Sequence, residues 1–228
     1  MKLLVVLLVL VGLLAAGDRV AAGFAEEGVA RQIAQEGGLK GTPEVDIRGF
    51  PFLTQAVAGR YDDVRIAFTA EELGQPAGTD AHVALRGVHV PLSAVLSRSV
   101  RQVPVDRIDG TGTLSYALLA AQLGGDTTLR QEGDGLRITR TVEVFGRTLP
   151  LTAVGRVTLQ GNEVRVDVDR VEGAGVEVPA FLLDRVSGLL DLRYTIPPLP
   201  FGLRLTGVRP APDGVDVTVA ARDAVLGR

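Results

Sequence analysis

The stretch Val45-Asp46-Ile47-Arg48-Gly49-Phe50-Pro51-Phe52-Leu53-Thr54-Gln55 decides how this chain is read. Val45 and Ile47 alternate with Asp46 and Arg48, the period of a strand with one buried face. Gly49 ends that strand. Pro51 starts a helix, because at the first helical position its missing N–H would be unpaired anyway. Phe52, Leu53, Ala56 and Val57 then fall on one helical face, and Gly59 supplies a C-terminal cap. Two aromatics around a proline plug the corner. Their apolar groups are either ordinary core or the wall of an apolar cavity.

Downstream the pattern is mostly strands. In residues 64–70, Val64, Ile66 and Phe68 share a face. Residues 82–90 alternate again, but Val83 and Leu85 have the opposite parity to Val88 and Val90, and Gly87 between them suggests a bulge. Short helices are expected over residues 91–99, 115–123 and 179–190, the second stopped by Gly124-Gly125. Residues 103–114 are extended. Leu136, Ile138, Val142 and Val144 alternate with polar residues. Gly161-Asn162 is a two-residue hairpin turn that sets Leu159 opposite Val164 and Val157 opposite Val166. A second turn at Asp213-Gly214 would pair Val208 with Val219. Residues 196–201 are too proline-rich for a central strand.

Upstream, residues 3–16 form an unbroken apolar run of 14 residues behind Met1 and Lys2. That is short for a membrane span, which needs about 20 residues. It suits a signal-peptide core, and Ala15-Ala16-Gly17 has the small residues of a cleavage site. Residues 1–17 are therefore a signal peptide or an N-terminal membrane anchor, and either choice places the rest outside the cytoplasm. Residues 18–36 read as a helix that Asp18 can cap, ended by Gly37-Gly38.

The chain has 228 residues, a net charge of −3 and no Cys. Disulfides, thiolate metal sites and cysteine nucleophiles are excluded, and nothing in the charge suggests nucleic-acid binding. No linker splits residues 18–228, which read as a single α+β domain. Catalytic signals are sparse. His82 and His89 lie seven residues apart and point to opposite faces of a regular strand. No Gly-x-Ser-x-Gly elbow occurs. Asp167 and Asp169 share the polar face of a strand, and Asp62-Asp63 could cap a turn after Tyr61. No enzyme, metal or cofactor is expected.

The stretch "VDIRGFPFLTQAVAGR" (residues 45–60), the apolar N-terminus running into Asp18-Arg19-Val20, the following Tyr61-Asp62-Asp63-Val64 and the ending "LPFGLRLTGV" with "RDAVL" resemble the LmeA-like phospholipid-binding family of actinobacterial envelope proteins. The resemblance implies a curved antiparallel sheet wrapped on short helices, as in tubular lipid-binding (TULIP-like) folds. It implies a periplasmic or membrane-associated lipid binder with no catalytic role. Its partners would be anionic phospholipid (phosphoinositides included), a membrane surface and an envelope glycosyltransferase that it supports. The residues expected to line the lipid site are Phe50, Phe52, Leu53, Phe181, Leu182 and Phe201, with Arg48 and Arg60 at the mouth for a phosphate. The other reading is a membrane-tethered interaction module that assists an envelope enzyme without carrying lipid.

Overall fold

The computed structural model describes residues 2–97, 99–123, 127–144, 147–173, 176–177, 193–196, 199 and 201–227. The helix expected over residues 179–190, with Phe181 and Leu182, lies outside them, as does the Gly124-Gly125 stop. One helix, α1 (Lys2–Gly37), runs through the apolar segment and on along the domain. The cap expected at Asp18 is not there. No proline or turn signal interrupts the two helix-forming segments, and the Asp18 carboxylate is used elsewhere. Asp18, Ala22 and Ala30 are buried and Ala21, Ala25 and Ile33 pack against the core. These mostly small side chains let α1 lie close to the sheet, while Val20 and Phe24 point away from it.

The chain then forms β1 (Glu44–Arg48), α2 (Phe52–Ala58), β2 (Arg60–Phe68), α3 (Ala70–Leu73), β3 (Asp80–His89), α4 (Leu92–Leu96) and β4 (Gln102–Ser115). It continues with α5 (Tyr116–Leu123), β5 (Thr127–Glu132), β6 (Gly135–Val144), β7 (Arg147–Gln160) and β8 (Glu163–Gly173). Last come β9 (Val176–Glu177), β10 (Arg193–Thr195), β11 (Arg204–Pro210) and β12 (Gly214–Gly227). Among the described residues these strands make two antiparallel sheets, ordered β1-β2-β3-β4-β12-β11 and β10-β8-β7-β6-β5, with β9 paired to β8. The expected α+β fold with a wrapped antiparallel sheet is what the chain adopts.

The first sheet wraps because it is creased. Leu85 and Val88 on β3, Val105 and Ile108 on β4, and Ala221 and Ala224 on β12 are all buried in one cluster. Apolar spacing of three cannot keep one face of a regular strand. The parity change at Gly87 is real, but it is not the register-shifting bulge that the sequence suggested. Leu85 pairs with Ile108 and Val88 with Val105, and Ile108 and Val105 pair with Ala221 and Ala224, with no shift of register. Gly87 has φ 61° and Asp223 φ 49°. Left-handed backbone at these two positions, on β3 and β12 either side of β4, changes the parity of the strands and keeps their apolar residues on the inside. At Gly87 a Cβ would meet Asp106 Oδ2 at 2.1 Å, so only glycine fits the crease there.

A second cluster lies between the other sheet, α5 and the near ends of β11 and β12. It holds Leu119, Leu136, Ile138, Ala153, Val164, Val166, Val215 and Val217. The β7–β8 hairpin has the expected register, Leu159 opposite Val164 and Val157 opposite Val166. The β11–β12 hairpin does not: Val208 pairs with Val217, and Val219 with Leu205. Ala211 and Gly214 exchange both backbone hydrogen bonds, so Pro212-Asp213 is the tip. Proline suits the first tip position, which moves the turn one residue earlier than Asp213-Gly214.

Candidate functional site

Residues 45–60 form the expected strand-to-helix corner. Pro51 is the N-cap of α2 rather than its first helical residue, and Gly59 caps its end at φ 67°. The helix buries only half of its expected apolar face. Phe52 is 5% exposed and Ala56 is buried, whereas Leu53 is 48% and Val57 76% exposed. Positions 52 and 56 sit about 100° round the helix from 53 and 57, and the sheet takes the first pair. The Phe52 ring lies 6.0 Å from that of Tyr61 on β2.

The start of α2 is held from α1. Asp18, 2% exposed, accepts hydrogen bonds from the backbone N–H of Phe52 (2.9 Å) and of Leu53 (2.8 Å). Arg19 donates to Asp18 at 3.0 Å and to the Gly49 carbonyl at 2.9 Å. Its guanidinium lies 5.7 Å from the centre of the Phe50 ring, which is otherwise 66% exposed. A carboxylate on two N-terminal N–H groups is the standard way to satisfy a helix start. Here it comes from 34 residues upstream.

From that corner an aliphatic strip runs along the first sheet. Val219 on β12 lines up with Gly110 and Val83 across β4 and β3, and with Leu205 on β11. Val83 in turn pairs with Ile66. Ala221 and Ala224 join the strip to the first cluster, Val215 and Val217 to the second. Among the described residues its middle, Ile66, Val83, Leu205 and Val219, is only half-buried.

An open groove of about 800 Å³ lies on this sheet, and Ile66, Val83 and Val219 of the strip are among its lining residues. Its charged lining is balanced, with Glu44, Asp46 and Asp109 against Arg48, Arg65 and Arg107. Arg107 bonds both oxygens of Asp109, at 2.7 and 2.8 Å, and holds its carboxyl below the usual aspartate range. Each of these arginines already has a carboxylate partner, so a phosphate here would have to displace one.

A family model of LmeA-like phospholipid-binding proteins matches residues 16–220. The chain belongs to this family. Searches of curated proteins and of solved structures find no match. As an LmeA-like protein the chain has a phospholipid-binding role, and its N-terminal helix is long and apolar enough to be a signal sequence or a membrane anchor.

Phe50, Phe52 and Leu53 share the corner, but only Phe52 points into the core. Phe201, 43% exposed, sits in the turn before β11 at φ 58°. Arg48 and Arg60 flank α2, and each already has a carboxylate partner. Arg48 bonds Asp46 at 2.6 Å, and Arg60 bonds Asp106 at 3.1 Å. His89 bonds the other Asp106 oxygen at 2.9 Å, and His82 lies 3.3 Å from Asp80. Asp62 and Asp63 are not a turn; both lie within β2. Asp167 accepts from Thr158 and Asp169 from Arg156, as cross-strand surface pairs. Among the described residues no group of three His, Asp or Glu could hold a metal ion. Sequence reading missed the Asp18–α2 link and the strip. The apolar pairs spaced by three, Leu85/Val88, Val105/Ile108 and Ala221/Ala224, are the signal that finds the crease.

Proposed function

We propose that this LmeA-like protein is a non-catalytic phospholipid-binding protein of the cell envelope that holds acyl chains against aliphatic walls. The observation that carries this is the strip through Ile66, Val83, Leu205 and Val219. It joins two buried clusters, yet stays half-buried among the described residues. Each methylene taken from water contributes about 0.8 kcal/mol, so such a wall binds lipid tails without a polar anchor. The family supports phospholipid as the ligand. Anionic head groups, phosphoinositides included, are the class we assign, with Arg48 and Arg60 exchanging their carboxylate partners for phosphate. The setting is the extracytoplasmic face of an actinobacterial envelope. The process is lipid and lipoglycan maintenance in support of an envelope glycosyltransferase.

Native mass spectrometry of the purified protein, with lipid extraction of the same sample, tests the proposal. A discrete adduct of phospholipid mass is expected, and Val83→Phe, which fills the strip with an apolar group, removes it while circular dichroism stays unchanged. An adduct indifferent to Val83→Phe means that the lipid is held away from the strip, and no adduct after mixing with phospholipid vesicles points instead to the tethered interaction module.

A further inference from the structure

The apolar N-terminal run and the α1–α2 corner belong to one surface. The run of 14 residues is about 21 Å of helix, too short for a hydrocarbon core of about 30 Å. The outward face of α1 does not stop there. Val20 and Phe24 continue it, at 59% and 71% exposed, so the apolar face spans the 22 residues 3–24, about 33 Å. Beyond it Glu27 and Arg31, with the 39% exposed Val29 between them, form an exposed ion pair at 3.1 Å and mark the return to water.

Two charges fall inside this span, and the structure accounts for both. Asp18 is turned inward onto the N–H groups of Phe52 and Leu53 and shows no charge to the outside. Arg19 is neutralised by Asp18 at 3.0 Å and donates to the Gly49 carbonyl at 2.9 Å, with its guanidinium 5.7 Å from the centre of the Phe50 ring. The same bonds fix the height of α2: its first turn is level with Asp18 and Arg19. Phe50, Leu53 and Val57, all exposed, therefore lie at the depth where the span needs completing. Phe50 just before α2, and Leu53 and Val57 on its outward face, are the bulky apolar side chains that an interfacial contact uses. Lys2 at the far end suits the cytoplasmic side.

The geometry points to a membrane-seating site: Val20, Phe24, Phe50, Leu53 and Val57 sit in the interface of a lipid bilayer that the retained N-terminal half of α1 crosses. The domain itself completes a span that the apolar run alone leaves short. This does not rest on an internal lipid site.

The chain has no Cys, so one cysteine introduced at Phe24, Phe50, Leu53, Val57 or the exposed turn residue Asp134 is the only thiol. Each variant of the full chain is labelled with an environment-sensitive fluorophore and reconstituted in phosphatidylcholine vesicles carrying a quencher on the acyl chain. Labels at the first four positions are expected to shift to the blue and lose emission, and the label at Asp134 to do neither. Labels at Phe50, Leu53 and Val57 that behave like the one at Asp134 overturn the site. Intact mass of the membrane-extracted chain gives a second reading. A mass that includes the 3–16 run supports the proposal, and a chain beginning at Asp18 overturns it.

Discussion

Replacing Asp18 with alanine removes the carboxylate from the start of α2 and nothing else from the core. Two backbone N–H groups, of Phe52 at 2.9 Å and Leu53 at 2.8 Å, lose their acceptor in a place where Asp18 is 2% exposed. A hydrogen bond to a charged group contributes about 1.5–3 kcal/mol, and a cap substitution costs about 0.5–2 kcal/mol. The Arg19 pair adds little, because the guanidinium is half in solvent. Taken together, about 2–4 kcal/mol should be lost from the docking of α2. At about 1.4 kcal/mol per factor of ten, that is about 30-fold to about 1,000-fold more frequent opening. Hydrogen exchange of the full-length protein reads this directly in a peptide spanning Phe52 and Leu53, against a control peptide in β6. Asp18→Asn keeps one acceptor oxygen and should fall between wild type and alanine. Unchanged exchange in α2 on Asp18→Ala would refute the reasoning, since the helix start would then be satisfied without this carboxylate.

Phe52→Ala should cost about 3–5 kcal/mol in chemical denaturation, since it empties a buried aromatic site beside Tyr61. Leu53→Ala, half-exposed, should cost under about 1 kcal/mol off the membrane, and equal losses for the two would contradict the facing of α2. Both Gly87→Ala and Gly133→Ala meet left-handed backbone, worth about 1–2 kcal/mol, but only Gly87 has Asp106 in the way. Melting temperatures should therefore fall further for Gly87, and a larger fall at Gly133 would count against the crease. Burial, with Asp213 and Asp216 nearby, pushes the Tyr116 hydroxyl up to about 12. The unfolded chain titrates near pH 10, so this group's contribution is complete below that and is lost as pH rises towards 12. Tyr116→Phe should flatten the fall in melting temperature over that window; an identical alkaline fall in both proteins would exclude Tyr116 as its cause.

The sequence made the β7–β8 hairpin legible because two local signals agree. Alternation places Val157, Leu159, Val164 and Val166 on one face, and Gly161-Asn162 closes the turn in that register. Where local signals compete, the reading slips. At β11–β12, Asp213-Gly214 is a good turn by itself, but Pro212 takes the first tip position. In α2 the pairs Phe52/Ala56 and Leu53/Val57 are equally apolar, and a helix of 7 residues has no period long enough to show which pair faces the sheet. Asp18 reads as a local cap because that is what aspartate before an apolar stripe usually is. Its real partner is decided by tertiary packing of α2 on α1, and no spacing within the sequence encodes that. The strip, none of whose residues is among those expected at the lipid site, shows the same limit. The corner of Phe50, Phe52 and Leu53 is plain in the sequence, whereas the strip exists only once five strands are in register.

A corner seated in a bilayer and a strip that holds lipid are linked kinetically. The first cluster contains both the corner, through Ala22, Phe52 and Ala56, and the near end of the strip, through Ala221 and Ala224. A lipid leaving a bilayer through water exposes its chains at about 0.8 kcal/mol per methylene, a barrier that a seated corner removes by keeping the path apolar. Leu53→Glu should then slow the loading of lipid from vesicles without lowering the final occupancy. Leu53 is exposed and its side chain is not part of the core. Val83→Phe should do the reverse, lowering occupancy at equilibrium. Stopped-flow transfer of a fluorescent phospholipid gives the rate, and native mass spectrometry gives the occupancy. Equal slowing and equal loss in both variants would mean that corner and strip are one site. A Leu53→Glu protein that loads at the wild-type rate would mean that lipid enters elsewhere.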